Sequence, residues 1–456
     1  MKDLTEGKEG KLILNFALPM LMGNVFQQLY NVVDSIIIGK FLGKEALAAV
    51  GASFPLIFVL VSFVIGFAIG STIVIAQYFG AKDMERVKRA VDTLYIFMFF
   101  TSLILTFLGI YISKYIFQLI ALPSEVIPLA VDYFSIYSLG FVLFFGFQGT
   151  SAILRGLGDS RTPVYFLVMS TIVNIALDLF FVLGLGWGIR GVAAATVIAQ
   201  ATAFFAIVFY INKYHRFLDF SPLKMKFDRE IFIKSIRIGF PSGIQQTVVS
   251  VGFLFLYRIV SIFGTTTIAA YSIAMRIDSF AVMPSLNFSA AISTFVGQNI
   301  GAGKTDRIRS GLKATLKISM IISAVISAVA VVFARPIMSV FTNDAEVINI
   351  GMKYLYIVSS FYIVMAAMFS LMGLLRGAGD TLTSMFITMF TLWIVRIPAS
   401  YFLSVKFGNV GIWWGIPIAW CLGLTLSFLY YKTGRWKKKA VVRRNMENDG
   451  REGNNE

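Results

Sequence analysis

Two acidic residues lie in stretches of the sequence that are otherwise apolar enough to sit inside a membrane. Asp34 follows Tyr30 by four residues. Asp178 follows Asn174 by the same interval, and residues four apart share one face of an α-helix. A charged side chain at mid-helix costs about 2.5–3.5 kcal/mol on membrane-insertion scales, so each carboxylate is a candidate for function.

The predicted helices place these residues at a similar depth. Asp34 lies about seven residues before the end of its helix and Asp178 about five, which is roughly 7–11 Å, and Thr196 lies at a similar distance from the same face. We therefore predict a cation-coupling site that contains Asp34, Asp178, Asn174, Thr196 and Tyr30. Paired carboxyls that cannot both ionise can share a proton, and the first four side chains are possible Na⁺ ligands. In the alternative interpretation, the two carboxylates face headgroup water independently.

The composition is that of an all-α integral membrane protein. Hydrophobic residues make up 57% of the 456 positions and charged residues 14%, against roughly 25% charged residues in soluble domains. Apolar runs of about 20 residues, enough to cross a bilayer, recur along the chain. The first run follows a polar Lys- and Glu-rich segment with no cleavage signal, which favours a retained helix. The twelve predicted transmembrane helices are 12–41, 46–76, 90–112, 126–152, 163–183, 190–211, 235–262, 268–297, 314–333, 347–373, 384–405 and 410–431.

The net charge of +16 is explained by membrane topology and not by nucleic-acid binding. Segments on one predicted side carry thirty Lys and Arg residues, and those on the other carry six. Under the positive-inside rule this places both termini in the cytoplasm of a multi-pass protein of the cell (inner) membrane. The single Cys421 and single His215 exclude a disulfide framework and a Cys/His metal cluster.

The second half of the chain repeats the first at a shift of 221 residues. The shift superposes Leu154–Asp159 (LRGLGD) on Leu375–Asp380 (LRGAGD) and Tyr133 on Tyr354, while Pro19 pairs with Pro241 at a shift of 222. We predict two six-helix lobes related by a pseudo-twofold axis along the membrane normal, because an even number of spans returns each copy to the same side. The predicted domains are the lobes 1–211 and 235–431, a cytoplasmic linker 212–234, and a basic cytoplasmic tail 432–456 that is expected to be disordered.

The duplicated LRGxGD segment has two interpretations. In the structural one, Arg and Gly end one helix, the second Gly permits a positive φ angle, and Asp caps the next helix. In the functional one, the segment contacts substrate directly. The sequence favours the tight turn.

The acidic cluster belongs to one copy alone. The equivalent positions in the second copy are apolar, namely Phe255 or Leu256, Ala399 and Val395. That copy instead carries Arg258, Arg276, Asp278 and Arg396 within its spans. We predict that Asp278 neutralises one of these arginines as a structural ion pair, with a binding role for Arg396 as the alternative.

These motifs together resemble the multidrug and toxic compound extrusion (MATE) transporters, in particular the bacterial and archaeal branch named after a DNA-damage-inducible protein. The resemblance rests on Tyr30–Asp34 (YNVVD), on Asn174 and Asp178, on Thr196, and on both LRGxGD turns. It covers the chain from about Lys11 to Tyr431. It implies two six-helix lobes, and export driven by inward H⁺ or Na⁺ flow through an N-lobe site at the residues named above.

The sequence therefore predicts a secondary active antiporter, not an enzyme, that exports amphipathic or cationic organic compounds by alternating access. We expect a monomer in the lipid bilayer, with small drug-like substrates, no nucleic-acid partner, and no cofactor besides the coupling ion. Three alternatives are weaker. A lipid-linked saccharide flippase needs a strongly cationic cleft, a membrane-embedded enzyme needs a catalytic constellation, and a channel needs a pore-lining set in both copies.

Overall fold

The computed structural model describes residues 2–442, and these form helices joined by short turns. Pro residues inside α1, α2, α8, α9 and α16 are tolerated because the apolar surroundings favour helices, whose backbone groups are satisfied internally. The α-helices are α1 (Glu9–Phe41), α2 (Gly43–Gly80), α3 (Met84–Leu119), α4 (Ile127–Leu139), α5 (Phe141–Gly156), α6 (Arg161–Leu179), α7 (Gly188–Tyr214), α8 (Arg229–Ser261), α9 (Gly264–Gly301), α10 (Thr305–Val332), α11 (Ala334–Ser339), α12 (Ala345–Ser359), α13 (Tyr362–Gly377), α14 (Thr381–Met389), α15 (Ile397–Phe407) and α16 (Asn409–Lys432).

The all-helical membrane fold is confirmed. Within the described residues, ten helices are long and apolar enough to cross a membrane, and twelve spans result if each of two bent helix pairs counts as one. The bent pairs are α4 with α5, at 50°, and α12 with α13, at 48°. They occupy the fourth span of each sequence copy. At the first bend, a Cβ on Gly140 would lie 2.6 Å from Val197 Cγ2, so glycine allows the close approach of α7.

The described chain divides into two compact units. The first contains Lys2 and residues 19–75 and 83–243, and the second contains residues 3–18, 76–82 and the described chain from Ile244 onward. These units differ from the predicted lobes, because Asp3–Leu18 and Ala76–Lys82 belong to the second unit. Most of the predicted linker packs on α3 in the first unit, where Asp228 N donates to Thr93 Oγ1 at 3.0 Å.

Two small-residue patterns bring α2 and α8 together within the first unit. Gly66 and Gly70 are four residues apart on α2, as Gly239 and Gly243 are on α8. A Cβ on Gly66 would lie 2.7 Å from Gly243 N, and one on Gly70 would lie 2.6 Å from Gly239 N. Since lipid removes most of the hydrophobic drive for helix association, such backbone-to-backbone packing is a main source of cohesion.

The LRGxGD segments form the predicted tight turns. Gly158 and Gly379 have φ angles of 82° and 91°, which glycine adopts without strain. Asp159 Oδ1 accepts hydrogen bonds from the amides of Arg161 and Thr162, both at 3.0 Å. Asp380 caps α14 through the amide of Thr383.

The described part of the basic tail has local structure. Residues Arg435–Lys439 form a 3-10 helix, and Val441 N donates to Gln77 Oε1 at 2.7 Å within the second unit. The disorder predicted for residues 443–456 concerns a segment outside the described residues.

Candidate functional site

A cavity of about 550 Å³, lined by apolar and polar side chains, lies in the first unit among α1, α2, α4, α5, α6 and α7. Asp34 on α1, Asn174 on α6 and Thr196 on α7 are all in its lining. They converge because α6 and α7 pack against each other and face the C-terminal half of α1. This cavity is the candidate site.

The two carboxylates of the predicted site are buried close to each other, one at the wall of this cavity and one behind it. Asp34 is 5% exposed and Asp178 is 0% exposed, so the alternative that each faces headgroup water independently does not describe the structure. Their carboxyl groups are close enough for a protonated one to donate a hydrogen bond to the other. Asp34 borders the cavity, and Asp178 is not among the residues that line it.

Thr196 connects the remaining members of the predicted set. Its hydroxyl donates to Val192 O at 3.1 Å, so its oxygen is left to accept from other groups. Tyr30 Oη lies 3.4 Å from Thr196 Oγ1, and Asn174 Nδ2 donates to the same oxygen at 3.5 Å. The structure thus brings together all five side chains that the sequence singled out.

Four acceptor oxygens at this site receive no hydrogen bond from the described residues. They are Asp34 Oδ1, Asn174 Oδ1, Asp178 Oδ1 and Asp178 Oδ2, and each is shielded from solvent. Buried acceptors are normally satisfied, because leaving one unpaired costs about 1–3 kcal/mol. A proton on one carboxyl, or a bound hard cation, would satisfy several of them at once. Carboxylate and amide oxygens are suitable ligands for a hard cation such as Na⁺, and either carboxylate can instead take up a proton.

Sequence reasoning missed three polar residues beside the acidic pair. Tyr133 and Tyr137 project from one face of α4 into the cavity, and Gln200 lies beside them on α7. Tyr133 is near enough to Asp34 for the two groups to interact electrostatically, and Tyr137 forms a hydrogen bond with Gln200. The four-residue spacing of the tyrosines, together with the repeat pairing of Tyr133 with Tyr354, was the available signal.

In the second unit, Asp278 has different partners from those predicted. Within the described residues no ion pair joins Asp278 to an arginine at 4.0 Å or less, so the predicted structural ion pair is wrong. Instead, the hydroxyls of Tyr354, at 2.5 Å, and Tyr362 donate to its two oxygens. The phenols hold the carboxylate without bringing in a second buried charge, which avoids the desolvation cost of an ion pair.

The three arginines predicted near Asp278 differ in their surroundings. Arg258 and Arg276 are exposed. Arg396 is partly buried at the end of the π-helical segment Phe390–Arg396, with its guanidinium carbon 5.4 Å from the centre of the Phe253 ring. It interacts with Asp278 through charge, without a direct hydrogen bond.

The chain is thus a multi-pass helical protein with a cavity lined by residues of one of its two units. The model of the MatE family matches the chain twice, at residues 19–180 and 241–402, so the chain belongs to the MatE family. Both matches begin at the paired prolines Pro19 and Pro241, which confirms the sequence repeat. Because the family consists of transporters, the protein is a transporter and not an enzyme.

Relatives and solved structures agree with this assignment. The chain is 33% identical over 437 residues to the probable multidrug resistance protein YoeA of Bacillus subtilis (strain 168), with 94% of each chain covered. It is 30% identical to the probable multidrug resistance protein NorM of Thermotoga maritima, with 95% of this chain and 94% of the relative covered. An outward-facing multidrug resistance MATE family transporter shares the fold at a TM-score of 0.89 and 24% identity, over 96% of this chain and 99% of the other.

Proposed function

We propose that this transporter exports amphipathic or cationic organic compounds in exchange for inward H⁺ or Na⁺, and that Asp34, Asp178, Asn174, Thr196 and Tyr30 form its coupling site. The observation that carries the proposal is the group of four unsatisfied buried oxygens at the cavity wall. A site that lacks donors in this way gains free energy when a cation binds. The names of the relatives support the multidrug substrate class.

Coupling follows from the position of Asp34 between the cavity and the buried Asp178. With no cation bound, the carboxylate of Asp34 offers negative charge to a cationic substrate in the cavity. When a proton or Na⁺ neutralises the pair, that attraction weakens and the side chains close around the cation. Substrate and coupling cation then compete for one charge, which gives exchange by alternating access.

The decisive experiment separates the two coupling ions. Liposomes that contain the full-length protein are loaded with ethidium. The release of ethidium is measured under an imposed pH gradient and, separately, under an imposed Na⁺ gradient. Asp34→Asn and Asp178→Asn should abolish gradient-driven release. Asp132→Asn is the matched control, because Asp132 lies in the same unit but is paired with Arg190 at 2.8 Å. Exchange at the wild-type rate in both Asp34→Asn and Asp178→Asn would reject the coupling site.

The orientation and oligomeric state are part of the same proposal. The distribution of Lys and Arg supports cytoplasmic termini in the cell (inner) membrane, and the fact that one unit supplies the whole lining of the cavity supports a monomer. Cys421 is the single cysteine of the chain, so Cys421→Ser gives a background for labelling. A cysteine placed beside Lys82 should be blocked by a membrane-impermeant maleimide only after cells are opened. Blocking in intact cells would reverse the assigned orientation.

The flippase alternative gains no support from the cavity. Among the residues that line it, Arg155 is the one cationic side chain and Asp34 the one acidic side chain. A pyrophosphate-linked substrate would favour several convergent cations.

A further inference from the structure

The cavity of the first unit has a second charged position, distant from the acidic pair. Arg155 lines the cavity, one residue before the end of α5. In the described part of the chain, no carboxylate forms an ion pair with its guanidinium and no side chain hydrogen-bonds to it. An arginine facing a cavity without an acidic partner is a ready donor for an anion.

Two buried serines line the same cavity as this arginine and lie within five residues of it in the sequence. Ser151 lies four residues before Arg155 on the same face of α5, is 2% exposed, and also lines the cavity. Its Oγ has no hydrogen-bond partner among the described residues. Ser160, 4% exposed and in the cavity lining, precedes α6 without capping it. A buried hydroxyl is usually satisfied, so the missing partner of Ser151 Oγ points to a ligand.

The second sequence copy shows what the same turn looks like when its arginine has a structural role. Arg376, the equivalent of Arg155, donates to Ser289 Oγ at 2.7 Å. The residue equivalent to Ser289 in the first copy is Ala68, which has no hydroxyl. Likewise, Ser151 corresponds to Met372, an apolar residue. In the first copy the arginine therefore lacks this serine partner and has the additional hydroxyl of Ser151 on its own helix, whereas Ser160 corresponds to Thr381, which is also polar.

The arginine and the acidic pair lie at opposite ends of the cavity. On α6 the lining runs from Pro163, beside the Arg155 turn, to Asn174, beside Asp34. On α1 it includes Gly23, where a Cβ would lie 3.0 Å from Val164 at the start of α6. Eleven residues separate the two ends on each helix, which is about 16 Å. A drug-sized molecule could reach both ends.

We propose that Arg155, with Ser151 and Ser160, binds the carboxylate of zwitterionic amphipathic substrates whose cationic group lies toward Asp34. The inference rests on the proposed export function and narrows its substrate class. Compounds with both charges are held at both ends, whereas purely cationic compounds use the Asp34 end alone. Arg155 is thus a residue that sets specificity and takes no part in ion coupling.

The test uses ciprofloxacin, which carries an amine and a carboxylate, and its methyl ester, which keeps the ring and the amine. Binding and gradient-driven export of each are measured with the full-length protein in liposomes of neutral phosphatidylcholine. Wild type should bind the zwitterion more tightly than the ester. Arg155→Gln should weaken the binding of the zwitterion about tenfold, as expected for a lost charge-assisted hydrogen bond. The affinity for the ester should stay within about twofold of the wild-type value.

Control variants separate this role from folding and from coupling. Arg376→Gln removes the structural arginine and should change the binding of both compounds to the same extent. Ser151→Ala keeps the turn intact and should selectively weaken the binding of the zwitterion, by a smaller factor than Arg155→Gln. This variant provides the test if Arg155→Gln fails to fold. Asp34→Asn should abolish export of both compounds, and its failure to do so would reject the coupling site without touching this inference. The proposed carboxylate site at Arg155 would be overturned if Arg155→Gln weakened the binding of both compounds equally, or if the wild type did not prefer the zwitterion.

Discussion

Replacing Asp178 by asparagine should make the protein more stable while it loses ion coupling. Asp178 is fully buried, and neither of its oxygens has a hydrogen-bond donor among the described residues. Asparagine has nearly the same shape but carries no charge and brings an N–H₂ group. Because the Asp34 carboxyl is within hydrogen-bond reach, the new amide can donate to it.

The size of the effect follows from these contacts. A hydrogen bond to a charged acceptor contributes about 1.5–3 kcal/mol, and the substitution also removes one negative charge from a shared buried site. A net gain of about 2 kcal/mol is expected, since part of the bond energy repays side-chain ordering. At roughly 2–4 °C per kcal/mol for units of this size, Tm should rise by about 4–8 °C.

The measurement is thermal unfolding of detergent-solubilised protein at pH 9 without Na⁺, where little coupling cation is available to the wild-type site. Asp132→Asn, which removes a partly buried acidic residue of the same unit and its ion pair with Arg190, should lower Tm by at most about 4 °C. A fall in Tm for Asp178→Asn would refute the reasoning, because it would mean that the carboxylate already receives stabilising hydrogen bonds in the folded protein.

Three further substitutions test separate parts of the structure. Thr196→Val removes the oxygen shared by Tyr30 and Asn174 and should weaken the apparent affinity for the coupling cation about tenfold. The affinity is measured as the cation concentration at half-maximal exchange, and an unchanged value would exclude Thr196 from the site. Gly70→Leu forces α2 away from α8 and should lower Tm by several degrees or abolish folding. Gly51→Leu, which points into open space, should leave Tm unchanged, and an equal fall in Tm for both variants would contradict the packing argument. Tyr354→Phe leaves an oxygen of Asp278 without its donor and should cost about 1–3 kcal/mol of stability with cation coupling unchanged, so a selective loss of coupling would assign Asp278 a transport role.

The sequence predicted the spans and the acidic site because both follow from local physics. Twenty-residue apolar runs leave few conformations besides a helix, and buried carboxylates are rare enough to stand out. Asp34 and Asp178 were found by that rarity, and Thr196 by its depth. The geometry then brought these side chains together with Asn174 and Tyr30 at one wall of a cavity.

Other features depended on contacts between distant parts of the chain. The partners of Asp278 could not be read from charge alone, since a phenol hydroxyl satisfies a carboxylate as well as an arginine does and at lower desolvation cost. The assignment of residues 3–18 to the second unit was equally hidden, because it rests on hydrogen bonds such as Leu4 N to Gln298 Oε1. Periodicity carries no information about such pairs.

The two buried acidic sites differ in how far the protein satisfies the hydrogen bonds of their carboxylates. Tyr133 and Tyr354 occupy equivalent positions in the repeat, and each lies near a buried acid. Asp278 receives two phenol donors and needs no further partner, so its site is complete without a cation. The acidic pair beside Tyr133 keeps orphaned oxygens, which is why we propose that a cation completes its site. A transporter that is driven by ion binding requires a site of the second kind, because a site already satisfied by the protein would have no free energy to gain from the ion.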